Sequence, residues 1–108
     1  MLPKNYRVDK KQVGRVFQVG KFINSSSLSF KFILNKDSNA RRISFIAPKS
    51  VAKLAVERNT LRRLGYNALK KDITKFPAGL VGVFIFKKFS KDVSLIEKEI
   101  ENILHKIN

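Results

Sequence analysis

The sequence predicts an α+β fold: a single-domain α/β sandwich over residues 1–108, with helices packed on a small mixed sheet. Three observations lead there. The apolar spacing alternates between period 3.6 and period 2 along the chain, which calls for helices and strands in succession. At 108 residues with 44% hydrophobic side chains and nine phenylalanines, the chain fills one two-layer core but not two. The longest apolar run, LVGVFIF, has the length of a strand and is bounded by FPAG and KK.

In chain order, VDKKQVGRVFQV (residues 8–19) sets Val13, Val16 and Phe17 at helical spacing, with Asp9 as N-cap and Gly20 as C-cap. After the polar turn NSSS, LSFKFIL alternates Leu28, Phe30, Phe32 and Leu34 against Ser29, Lys31 and Ile33, as a half-buried strand does. NKDSNA turns the chain, and RRISFIA sets Ile43, Phe45 and Ala47 on one side of a second strand stopped by Pro48. These two strands are expected to pair as a hairpin.

From about residue 51 the period becomes helical. Leu54, Leu61, Leu64 and Ala68 share a narrow arc, and Arg58, Asn59, Arg62, Arg63, Tyr66 and Lys70 a broad one beside it, so the helix is amphipathic with a basic wet face. FPAG ends it, and LVGVFIF reads as a strand buried on both faces. Ser94 and Glu97 form the expected capping box of a last helix, whose apolar stripe is Ile96, Ile100, Ile103, Leu104 and Ile107. The order is helix, strands, helix, strand, helix. A crossover helix before the strand near 80–86 makes part of the sheet parallel.

The formal net charge of +15 implies a polyanionic partner, nucleic acid or an anionic membrane surface. The charge is also placed: residues 1–91 carry 21 basic and 4 acidic side chains, residues 92–108 carry 2 and 4. No cysteine is present, so disulfides, thiolate metal sites and a cysteine nucleophile are excluded. MLPKNYRVDKK has no apolar signal region, and no run approaches the roughly 20 residues that span a bilayer. A cytoplasmic protein is expected. A peripheral membrane role is disfavoured because the most apolar helix, at the C-terminal end, is also the acidic one.

The densest charge lies in ERNTLRRLGYNALKK, residues 57–71, where Glu57 is the only acid between Lys49 and Lys71. A helix face that is merely solvated usually mixes signs, because like charges a turn apart repel. Arginine predominates over lysine there, and its planar fork suits bidentate contact with phosphate. Arg58 and Arg62 stand one turn apart, Asn59 and Arg63 likewise, and an asparagine amide can both donate and accept at a ribose hydroxyl or base edge. RNA is the partner this face fits.

The same residues carry a family resemblance. KSVAKLAVERNTLRRL, residues 49–64, resembles the signature of the bacterial ribonuclease P protein subunit, an Arg-Asn pair followed by two basic residues, matched by Arg58, Asn59, Arg62 and Arg63. LPKNYRV is similar to that family's usual opening, VGRVFQVGK to its first helix and VFIFKK to its basic-ended strand. The sequence departs from the family pattern at Val13, Thr60 and Tyr66, at Ser50 and Ala52, and at Leu54, which looks like an extra residue.

The resemblance implies a protein that binds a large catalytic RNA and helps it cut the 5′ leader from precursor tRNA, the RNA supplying the chemistry with Mg2+. It implies RNA contact through Arg58, Asn59, Arg62 and Arg63, with Lys49 and Lys53 beside them, and a left-handed crossover. It further implies a leader cleft between the first helix and the sheet, for which Phe17, Lys31 and Lys87 are the candidates. The expected partners are ribonuclease P RNA and precursor tRNA, with no membrane and no obligate protein partner. No catalytic or metal-binding residue is expected in this chain.

Each candidate has a plainer alternative. Phe17 would more ordinarily pack in a core, Lys31 be a solvated strand lysine, and Lys87 and Lys88 keep a strand end soluble. His105 pairs adequately with Glu101 one turn away, and Glu97 and Glu101 read as a solvated flank rather than a metal pair. The rival functions are a structural RNA-binding protein, such as a small ribosomal protein, and a stand-alone nuclease. The second lacks a histidine pair, clustered strand carboxylates and a phosphate loop.

Overall fold

The computed structural model describes residues 10–35 and 39–107. The expected N-cap Asp9, the opening LPKNYRV and the centre of the NKDSNA turn lie outside them. The elements are α1 (Lys10–Val19), β1 (Lys21–Asn24), β2 (Leu28–Leu34), β3 (Arg42–Ile46), α2 (Ala55–Leu69), a short 3-10 turn (Ile73–Lys75), β4 (Leu80–Phe86) and α3 (Val93–Ile107). The mixed α+β class holds, with α2 as the crossover between the parallel neighbours β3 and β4.

The four strands are ordered β1-β2-β4-β3, with β1–β2 and β2–β4 antiparallel. The expected β2–β3 hairpin therefore does not form. β4 is apolar along its whole length, so it takes the place where both its faces and both its edges are covered, between those two strands. The hairpin partner of β2 is instead β1, a four-residue edge strand joined to it through the serine turn.

One face of the sheet is packed against α2 and α3. Phe30, Phe84 and Phe45 stack across three strands, with ring centroids 4.3 and 4.9 Å apart, and Ile96, Ile100, Ile103 and Leu61 close over them. The other face carries Ile33, Val81 and Val83 beneath Val16 of α1. Gly20 ends α1 as expected, donating its N–H to the Val16 carbonyl at 2.8 Å, but without a left-handed backbone. That conformation occurs at Gly79, φ 82°, where the turn after Pro77 enters β4.

Two details of α3 differ from expectation. The N-cap is Asp92, whose Oδ1 accepts the Leu95 N–H at 3.2 Å, so Ser94 lies inside the helix and forms no capping box. Glu97 turns instead to Lys71 beyond the end of α2, at 3.1 Å, and holds that ammonium above its ordinary range.

One turn along from Ile96, Glu99 is buried. Its Oε1 accepts the Ser27 N–H at 2.6 Å, and its Oε2 has no hydrogen-bond partner among the described residues. This bond fastens α3 to the β1–β2 turn. Glu99→Ala leaves the Ser27 N–H buried without an acceptor and is expected to cost about 2 kcal/mol in urea unfolding. Glu101→Ala, on the exposed side, should leave the midpoint unchanged.

Candidate RNA interface

Two surfaces follow from this architecture, one on each side of the sheet. The first is α2 and the loop that leads into it. The loop is wound by Pro48, whose carbonyl accepts the Val51 and Ala52 N–H groups, and Arg58 reaches back to donate Nη1 to the carbonyls of Ala52 (3.1 Å) and Lys53 (2.8 Å). The exposed side chains of Lys49 and Lys53 are thus gathered at the N-terminal half of α2.

Further along the helix, Arg62 donates to Asn59 Oδ1 and Arg63 stands exposed. Neither described ion pair, Lys71–Glu97 or Lys75–Asp72, draws on these arginines. Among the described residues no acid neutralises them. The predicted set Arg58, Asn59, Arg62, Arg63, Lys49 and Lys53 is therefore one cationic corner, in which Arg58 also braces the loop.

Tyr66 and Leu54 depart from the helical-wheel reading. Tyr66 is 6% exposed rather than on the wet arc: its ring meets Phe45 edge-on with centroids 5.1 Å apart, and its hydroxyl accepts the Phe45 N–H at 3.3 Å. A long aromatic side chain can lean from the helix flank onto the sheet, and burial of its ring area drives it there. Leu54 precedes the helix as its N-cap and is 61% exposed, outside the apolar stripe. The turn around Pro48 delays the helix start to Ala55, so Leu54 has no core face to occupy.

The second surface is the face of the sheet beside α1. Phe17 is 40% exposed, not in the core. Lys31 lies half-buried with its ammonium 5.0 Å from the Phe17 ring centroid and 5.7 Å from that of Phe22, a cation between two rings. Phe22 is the residue sequence reasoning missed. It pairs with Lys31 across β1–β2, and the four residues KFIN, with two apolar side chains side by side, carry no period-2 signal for it.

Two residues on, Asn24 Oδ1 accepts the Ser29 hydroxyl (2.9 Å) and the Lys87 ammonium (3.2 Å), which also donates to the Ser25 carbonyl at 2.9 Å. Phe17, Lys31 and Lys87 are thus brought to one face, with Phe22, Asn24 and Ser29 between them. On the opposite flank of α1, Gln12, Arg15 and Val19 face Lys21, Leu34 and Asn35 across a cleft of about 490 Å3.

His105 is exposed. Among the described residues no three His, Cys, Asp or Glu side chains form a metal-holding group, and no helix is long and apolar enough to cross a membrane.

A basic corner on one helix and a cation-aromatic face across the sheet define a small RNA-binding α+β protein. The family model for ribonuclease P matches residues 2–108, and the chain belongs to that family, as the protein subunit of the tRNA-processing ribonucleoprotein. The fold is similar to that of the RNase P protein of Staphylococcus aureus, with TM-score 0.80 at 20% identity over 96% of this chain and 95% of that one. It is similar also to the RNase P protein of Thermotoga maritima, with TM-score 0.80 at 20% identity over 94% and 97%. Comparison with curated protein sequences finds no match. A ribosomal role finds no support in these comparisons.

Proposed function

We propose that residues 1–108 act as one RNA-binding domain in the cytoplasm, docking ribonuclease P RNA on α2 and receiving the 5′ leader of precursor tRNA between α1 and the sheet. Hydrolysis of the phosphodiester bond falls to the RNA and the magnesium it holds. No obligate protein partner is required. The observation that carries this reading is the cationic corner of Arg58, Asn59, Arg62 and Arg63 with Lys49 and Lys53, which no acid among the described residues balances. Such a corner repels itself in the free protein and gains when it displaces counterions from a folded polyanion.

The leader assignment draws on Phe17, Phe22 and Lys31. Two part-exposed rings with an ammonium between them offer stacking area to any base and charge to the backbone joining successive bases, the sequence-tolerant chemistry a variable leader requires. Lys87 lies further along the same face, its ammonium shared with Asn24 and the Ser25 carbonyl.

Reconstitution tests both parts. With ribonuclease P RNA and magnesium the chain should tighten the binding and cleavage of precursor tRNA, and without the RNA it should leave the substrate uncut. Robust cleavage by the chain alone would overturn the assignment of chemistry to the RNA. Recovery of ribosomal RNA without ribonuclease P RNA in a pulldown would overturn the docking assignment. Phe17→Ala and Phe22→Ala should each weaken precursor tRNA binding by about tenfold while leaving mature tRNA and ribonuclease P RNA binding unchanged.

A further inference from the structure

Beyond Lys87, the β4–α3 connection reads Lys88-Phe89-Ser90-Lys91, and the Phe89 ring is 41% exposed. A large aromatic side chain left in solvent between lysines contributes little to a core and leaves its ring open to stacking. Lys91 holds its ammonium 5.8 Å from the ring centroid, and the Lys88 and Lys91 side chains are both exposed. The far end of this loop is anchored. Ser90 Oγ accepts the Asp92 N–H at 3.2 Å, and the Asp92 carboxylate is engaged in capping α3.

The loop is continuous with the leader face. Phe22 and Asn24 lie two residues apart on β1, Asn24 accepts the Lys87 ammonium, and the Lys87 N–H donates to the Ser27 carbonyl at 2.8 Å. Phe89 follows two residues later. The loop thus leaves the sheet beside the β1–β2 turn, and β3, parallel to β4 with Ile46 opposite Ile85, ends at that same end before the Pro48 turn. A cationic aromatic loop here directly follows Lys87, at the end of the face that carries Phe22 and Lys31.

We propose that Phe89, with Lys88 and Lys91, is a second stacking platform for single-stranded RNA, taking a base of the 5′ leader upstream of those held at Phe17 and Phe22. This deepens the leader reading above and rests on it. The chemistry is that of an unpaired base: an exposed ring stacks on a base that has left its own stack, and flanking ammonium groups meet the adjoining phosphates.

The test uses the reconstituted holoenzyme and precursor tRNAs whose leaders are shortened one nucleotide at a time. For the natural sequence, affinity should rise with leader length in two stages. Phe89→Ala and Phe89→Leu should abolish the second, a loss of about tenfold confined to the longer leaders, and Phe89→Tyr should retain it. The inference is overturned if Phe89→Ala has no effect at any length, or if it weakens all lengths equally. Phe17→Ala separates the two readings, since it should act already on short leaders. If it leaves leader binding unchanged, the cleft assignment fails and this inference with it.

Discussion

Replacing Arg62 and Arg63 together by alanine is expected to weaken binding of ribonuclease P RNA by about a hundredfold at low salt, on the scale of two lost charge-assisted contacts. The log-log slope of affinity against salt should fall by about two units, since each arginine released from a phosphate removes roughly one. This pair is a cleaner test than Arg58, whose guanidinium also holds the Ala52 and Lys53 carbonyls and whose loss would loosen the loop carrying Lys49 and Lys53. The same double variant should melt no lower than the natural sequence. No acid among the described residues partners these arginines, so their removal from the free protein relieves repulsion and gives up only the exposed hydrogen bond from Arg62 to Asn59. Binding titrations across a salt series together with a thermal melt therefore separate docking from folding. An unchanged salt slope would remove α2 from the RNA contact.

The legible parts of the fold were those set by local periodicity. β4 showed itself as an apolar run, α3 as an isoleucine stripe, and α2 as a helix with one charged flank. Strand pairing was not legible, because adjacency in sequence favours a β2–β3 hairpin and only the burial needs of the later β4 separate those strands. Tyr66 failed for a related reason: a wheel projects Cβ directions, and a ring that reaches the sheet from the helix flank leaves the arc it started on. At the site, the cationic corner could be listed from spacing alone. Phe22 could not, since a four-residue edge strand shows too few alternations to be seen. Nor could the carboxylate of Glu99, whose partner at Ser27 lies 72 residues away.

A large effect on stability is expected at Gly82. This residue sits in mid-β4 opposite Phe32, and a Cβ placed on it would lie 2.3 Å from Cζ and 2.5 Å from Cε1 of Phe30, well inside contact distance. Phe30 cannot easily yield. Its ring is fully buried, stacked on Phe84 at 4.3 Å and Phe32 at 5.4 Å, with Phe76 edge-on at 6.0 Å. The third neighbour of the added Cβ is the Lys31 carbonyl at 3.3 Å, which is tied into the β2–β4 ladder. Gly82→Ala should therefore cost about 3 kcal/mol, the upper range for overpacking a core, and lower the midpoint of thermal unfolding by about 15 °C. A double-mutant cycle locates the cause: in a Phe30→Leu background the shorter side chain leaves room for the Cβ, and most of the Gly82→Ala penalty should vanish. An undiminished penalty in that background would assign the cost to the strand backbone rather than to the ring. Because the Phe30 side of the sheet supports α2 and α3 while the Lys31 side lines the cleft, Gly82→Ala should also weaken both RNA contacts as the temperature approaches the lowered midpoint, and spare both well below it.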